Sequence, residues 1–135
     1  MAIKKLSPFA LLVILLFSWM SLGNAEDKSP FLYLTTEKEL EKVLKSEPRV
    51  LIDFYADWCG PCNEMVPELK ALVKEDPKLK IVKINVDQAS GLVETYKVDP
   101  IPALFVYING KLTNSSEGYL KKEEIIELLS TNKFQ

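Results

Sequence analysis

The sequence predicts an α/β three-layer sandwich with a mixed, mostly parallel central sheet and an antiparallel C-terminal hairpin. Three observations carry this. Apolar runs of strand character alternate with segments of helical period along the chain, the pattern of parallel strands joined by right-handed crossovers. One run, Val50 to Tyr55, is apolar throughout except for Asp53, as befits a strand covered on both faces. Towards the C-terminus, Asn109-Gly110 separates two strand-like segments, the strongest short hairpin signal.

The elements follow in order. Phe31 to Leu34 is a short strand. Thr36-x-x-Glu39 is a capping box that opens a helix with Leu40, Val43 and Leu44 on one face, ending before Pro48. The Val50–Tyr55 strand comes next. Met65, Leu69, Leu72 and Val73 then recur at helical spacing, with a kink expected at Pro67, which has no N–H to donate. Lys80 to Val86 alternates as a strand, Ser90 to Lys97 is a short helix, and Ala103 to Ile108 is a strand. Lys111 to Ser116 returns antiparallel after the hairpin turn. Leu120 to Leu129 closes the chain as an amphipathic helix with Ile125, Ile126 and Leu129 expected to face inward.

Residues 1–25 stand outside this plan. Lys4 and Lys5 precede an apolar stretch from Phe9 to Met20, followed by small residues at Gly23 and Ala25. This is the layout of a secretory signal peptide cleaved after Ala25. The stretch is short against the roughly 20 residues of a membrane span, and an uncleaved anchor to the outer face of the inner membrane is the alternative. Cleavage leaves one domain, residues 26–135, with 15 basic and 19 acidic side chains and a net charge of −4. The short, twice-lysine leader fits bacterial export, so the expected location is the periplasm, where disulfides persist.

Composition narrows the chemistry. Of the 135 residues, 47% are hydrophobic and 27% charged, enough to bury a core without staples. Charges are mixed rather than blocked, and no basic stripe marks a nucleic-acid face. The chain has no histidine, which excludes Cys-His and Ser-His-Asp hydrolases and any zinc site that needs imidazole.

Both cysteines of the chain lie in Asp57-Trp58-Cys59-Gly60-Pro61-Cys62, between a buried strand and a helix start. Backbone N–H groups are unpaired at a helix N-terminus, so a thiolate at Cys59 is stabilised and its pKa falls below the ordinary value of about 8.5. Gly60 permits the tight turn, and Pro61 pre-sets the first helical turn. Cys62 is then near enough to resolve what Cys59 attacks. A purely structural disulfide fits poorly, because closing so short a loop stabilises by about 2 kcal/mol against about 4.7 kcal/mol for a loop of 100 residues. Zinc wants four ligands where this chain offers two thiols, which leaves only a cluster or zinc shared between two chains.

The segment Asp53-Phe54-Tyr55-Ala56-Asp57-Trp58-Cys59-Gly60-Pro61-Cys62 resembles the active-site segment of thioredoxins. The resemblance runs from about Leu32 to Leu129 and takes in Asp53, Trp58, Pro67, Lys83, Ile101-Pro102, Gly110 and Gly118. It implies the thioredoxin fold and a thiol:disulfide oxidoreductase in which a redox disulfide, Cys59–Cys62, forms and breaks. It also implies a cis Pro102 facing the cysteines, with the Ile101 backbone pairing with substrate. Trp58, Gly60 and Pro61 complete the substrate-binding set.

Asp53 and Lys83 have readings from the residues themselves. A carboxyl inside Val50–Tyr55 should have a raised pKa and could take the proton of Cys62; the alternative is an acid touching water at a strand end. Lys83 could tune Asp53 from the next strand, or be a solvated strand lysine. Trp58 either faces substrate or belongs to the core.

Three residues depart from the resemblance. Pro100 and Ala103 stand where a small residue and a threonine are common, and Asn63 replaces a frequent basic residue. Pro100 and Ala103 bear on substrate choice rather than on the chemistry, and Asn63 on the electrostatics towards partners.

The Gly-Pro dipeptide, with no histidine between the cysteines, is similar to the reducing branch of the family. The expected activity is reduction of protein disulfides by a monomer without a cofactor or metal, drawing electrons from a membrane thiol reductant. An exported oxidase or isomerase, and a non-catalytic binding module, are the alternatives.

Overall fold

In the computed structural model, which describes residues 29–131, the alternating pattern resolves into nine elements. These are β1 (Leu32–Tyr33), α1 (Glu37–Ser46), β2 (Arg49–Tyr55), α2 (Gly60–Glu75), β3 (Lys80–Asn85), α3 (Ser90–Tyr96), β4 (Ala103–Ile108), β5 (Lys111–Glu117) and α4 (Lys122–Ser130). The expected export segment, 1–25, lies outside the described residues.

Local chemistry sets the helix starts. Thr36 caps α1 as the spacing predicts: its side chain accepts from the Glu39 N–H, and the Glu39 carboxylate accepts from the Thr36 N–H. Helix α2 starts at Gly60 with Pro61 in its first turn and runs unbroken through Pro67.

The strands form one sheet in the order β1-β3-β2-β4-β5. Strand β3 pairs parallel with both β1 and β2, whereas β4 pairs antiparallel with β2 and with β5. The sheet is therefore mixed in equal parts, and the antiparallel pairing reaches one strand further inward than the hairpin alone predicts. The length of α3 explains this. Its seven residues span roughly 10 Å, half the roughly 20 Å length of a six-residue strand. The chain is not returned to the start of the sheet, so β4 begins where β2 ends, with Ala103 opposite Phe54.

Side-chain alternation divides the strands between two cores. On one face, Leu51, Ile81, Leu104 and Val106 pack with Met65, Leu69 and Leu72 of α2 and Ile125 and Leu128 of α4. On the other, Val50, Ile52, Phe54, Val82 and Ile84 pack with Leu40 of α1 and Leu92 of α3. Each such side chain contributes about 1.5–3 kcal/mol by burial, so the two covered faces, rather than the two-residue strand β1, hold the fold. One expectation fails in α4: Ile126 is 41% exposed and Leu128 takes the inward place. With Ile125 on the core, positions three and four further on share its face and the neighbouring position does not.

Strands β4 and β5 slip register between Val106↔Asn114 and Tyr107↔Leu112. Thr113 is the extra residue of this bulge, and its hydroxyl donates to the Val106 carbonyl at 3.3 Å. Beside it, Asn114 is fully buried. Its Nδ2 donates to the Leu128 carbonyl at 3.1 Å and to Thr131 Oγ1 at 2.7 Å, which ties β5 to the end of α4. Asn114→Ala should lower stability by about 1–3 kcal/mol, the penalty of leaving a buried carbonyl unpartnered. Urea unfolding checks this: the midpoint should fall while the slope is unchanged.

Candidate active site

Strand β2 is fully buried from Val50 to Phe54, and only residues 56–59 separate it from α2. The chain must turn here, and Cys59 ends the turn as the N-cap of α2, with extended backbone (φ −84°, ψ 109°). Its Sγ accepts from the Cys62 N–H at 3.3 Å. An N-cap position normally falls to an oxygen-bearing side chain; here sulfur occupies it. Cys59 and Cys62 are joined as a disulfide. They form a small buried cluster with Ala56, against which Tyr55, Val86 and Ile101 pack. Cys59 is 5% exposed and Cys62 1%, so Cys59 is the nearer of the two to the surface. Once reduced, a thiolate at Cys59 sits among helix-start N–H groups, which favour the anion.

The turn is braced by amides. Asn63 Nδ2 donates to the Asp57 carbonyl at 3.1 Å, and Asn85 Nδ2 to Asp57 Oδ2 at 3.4 Å. Asn85 Oδ1 accepts from the Asp87 N–H at 2.9 Å, and Asp87 Oδ2 accepts from Trp58 Nε1 at 2.9 Å. Trp58 is 71% exposed, which overturns the core alternative: its indole lies on the surface, held at one point by Asp87. Sequence reasoning missed Asn85 and Asp87. The available signal was the Asn-x-Asp at the end of a strand, where an asparagine folds back on the N–H two residues on. Asn63, noted in the sequence only for the charge it lacks, acts here through its carboxamide.

Ile101 brings the β4 approach to the cysteines. It packs against their cluster, and the Ile101–Pro102 peptide is cis, as is Asp99–Pro100. The Pro102 carbonyl accepts from the Gly118 N–H at 2.8 Å. Gly118 has φ +86°, a conformation that side chains disfavour. Trp58, Gly60 and Pro61 are exposed next to the cysteines in the chain, and Ile101 packs against the cysteine cluster.

Six residues before Cys59 in the chain, Asp53 stands opposite Lys83 in the β2–β3 register. Asp53 is two residues on from Leu51 and so shares its α2 face. It is fully buried and Lys83 is 3% exposed, with Lys83 Nζ 2.5 Å from Asp53 Oδ2. Neither alternative drawn from the sequence fits: Asp53 lies buried inside β2 rather than at a strand end, and Lys83 is buried beside it. Asp53 Oδ1 has no hydrogen-bond partner. Burial raises the Asp53 carboxyl above its ordinary value, and the charge and hydrogen bond of Lys83 offset part of that rise. Stability alone does not account for such a pair, since desolvating two charges can cost more than their attraction returns. Among the described residues, no cluster of acidic or sulfur side chains is placed to hold a metal.

Comparison with known proteins agrees with this geometry. The family described as Thioredoxin matches residues 31–131. A thioredoxin of Mycoplasmoides gallisepticum is 33% identical over 97 residues, covering 72% of this chain and 97% of its own. A thioredoxin of Chlamydia trachomatis is 42% identical over 81 residues, covering 60% and 79%. Among solved structures, oxidised mitochondrial thioredoxin 3 of Saccharomyces cerevisiae superposes with a TM-score of 0.68 at 28% identity, over 73% of this chain and 92% of its own. A mutant thioredoxin from Halobacterium salinarum gives 0.68 at 30%, over 77% and 92%.

The raised carboxyl of Asp53 fixes the sign of a pH effect. Below the ordinary value of 3.8, folded and unfolded chains both hold the proton and Asp53 contributes nothing. As pH rises the unfolded chain ionises first, so stability falls until the folded carboxyl ionises too. The double variant Asp53→Asn/Lys83→Met should therefore gain stability over the parent as pH rises through this window. Urea unfolding of the two oxidised proteins at a series of pH values checks it; a constant difference would show that the buried carboxyl is not raised.

Proposed function

The chain belongs to the thioredoxin family and is a thiol:disulfide oxidoreductase of that type, and from this premise we propose that it reduces protein disulfides outside the cytosol. The observation that carries the proposal is Cys59 at the N-cap of α2, its sulfur facing the helix-start N–H groups and joined to Cys62.

In the reduced enzyme the Cys59 thiolate attacks one sulfur of a substrate disulfide. A mixed disulfide forms and the first substrate thiolate leaves. The Cys62 proton passes to Asp53, and the Cys62 thiolate attacks Cys59. The second substrate thiolate departs, and the enzyme keeps the Cys59–Cys62 disulfide. Two electrons have moved to the substrate. Lys83 holds the Asp53 carboxylate in place for the transfer, leaving the unpartnered Oδ1 to receive the proton. Substrate lies across Trp58, Gly60 and Pro61 and pairs with the Ile101 backbone ahead of Pro102. A membrane thiol reductant restores the dithiol.

Export rests on the basic and apolar layout of residues 1–25, with anchoring by that segment as its alternative; the domain then acts in the periplasm as a monomer. The reducing direction rests on the Gly60-Pro61 dipeptide and on the absence of histidine from the chain.

Three measurements test the proposal. The reduction potential should lie near about −270 mV, and a value near about −120 mV would make the protein an oxidase. Cys62→Ser should stop insulin reduction and accumulate mixed disulfide on Cys59; if neither changes, the protein is a binding module. Asp53→Asn should slow the resolving step roughly a hundredfold, the lower end of what a positioned base contributes, as read by stopped-flow decay of a preformed mixed disulfide.

A further inference from the structure

Tyr55 is the last residue of β2 and touches both halves of the site. Its side chain packs against the cluster of Ala56, Cys59 and Cys62. Its ring also lies beneath the Lys83 ammonium, with Nζ 4.3 Å from the ring centroid. Among the described residues it alone makes both contacts. We propose that Tyr55 is a positioning residue for the exchange reaction, its ring clamping the Lys83 ammonium onto Asp53 while the same side chain packs against the cysteines. This rests on the reading of Asp53 as the proton acceptor for Cys62.

The strand register builds the clamp. Asp53 and Tyr55 are two apart on β2, so both project to the α2 face. Lys83 lies opposite Asp53 on β3, and Tyr33 on β1 lies opposite Lys83. An ammonium carries three donors and no acceptor. Asp53 Oδ2 takes one donor at 2.5 Å, and with 3% exposure little water is left for the others. Aromatic faces supply the remaining attraction: Tyr55 at 4.3 Å, and Phe31 more weakly at 5.6 Å. Tyr33 meets the Tyr55 ring edge-on, at 6.4 Å between centroids and 72° between planes, and so fixes its tilt. The titratable and charged groups facing this pair are thus Lys83 from β3, Tyr33 from β1, and Tyr55 and Asp57 from β2 and its turn; the cysteines, joined as a disulfide, do not titrate.

Without the ring, the ammonium keeps a single directed contact and its four-carbon stem is free to swing. Its attraction for the carboxylate weakens, and Asp53 holds its proton to higher pH.

The test is titration of the Asp53 carboxyl by ¹³C NMR in the oxidised full chain. Tyr55→Leu should raise the midpoint by about half a pH unit, roughly a threefold gain in proton affinity. Tyr55→Phe keeps the ring and should leave the midpoint where it is. In a Lys83→Met background, Tyr55→Leu should have no effect on the midpoint. A Tyr55→Leu midpoint that stays or falls would overturn the inference, as would an equal rise in Tyr55→Phe or in the Lys83→Met background, because each points to packing alone. Should Tyr55→Leu not fold, Tyr55→Met removes the ring with a more adaptable side chain. The reading beneath fails separately: Asp53→Asn resolving mixed disulfides at full speed would remove the proton acceptor, yet leave the titration comparison intact.

Discussion

A sulfur atom serves as the N-cap of α2, and most of what is distinctive about the molecule follows from holding it there. The N–H groups of a helix's first turn have no partner within the helix; in Cys59 they find a side chain that is also a nucleophile. The position is set by what lies on either side. β2 is buried and fixed by pairing with β3 and β4, and α2 is fixed by Met65, Leu69 and Leu72 in the core. Only four residues join them, so the sulfur has little freedom to leave the helix axis. Asn63, Asn85 and Asp87 take up what freedom the turn keeps.

The same geometry explains the buried Asp53–Lys83 pair. A residue on the α2 face of β2 cannot avoid burial, and at Asp53 that residue is acidic. Burial raises its carboxyl and Lys83 draws it part of the way back. The opposition leaves a buried carboxyl that holds its proton more tightly than an exposed one, and one oxygen is spared from the ion pair. An apolar residue would suit the fold better and could not exchange a proton.

Legibility in the sequence followed the range of the interactions. Elements set by neighbours along the chain were readable: the Thr36–Glu39 capping box, the Asn109-Gly110 turn, the apolar run of β2 and the helix opened by Cys59 through Pro61. The direction of β4 was not, because it depends on the length of α3 set against the length of the sheet. Ile126 was misplaced because four apolar residues in the last helix compete for a face that takes three, Ile125, Leu128 and Leu129. The cysteines were visible as a pair, and Asp53 as an acid out of place. Their partners were less so: Lys83, Asn85 and Asp87 reach the site through register, from about 30 residues away, and Tyr55 looked like any aromatic residue completing a strand.

The bulge at Thr113 bears on how the molecule keeps its own company. Strand β5 is an outer strand, seven residues long, and its free rim is the kind of template onto which another chain could add. The extra residue breaks the regular spacing of that rim and increases its local twist. The Thr113 hydroxyl and the buried Asn114 carboxamide bind inward, and Lys111 and Glu117 close its ends with charge. At the opposite rim β1 offers only two residues. For a thiol:disulfide oxidoreductase, partly unfolded chains are close company, and neither border of its sheet invites them to stay.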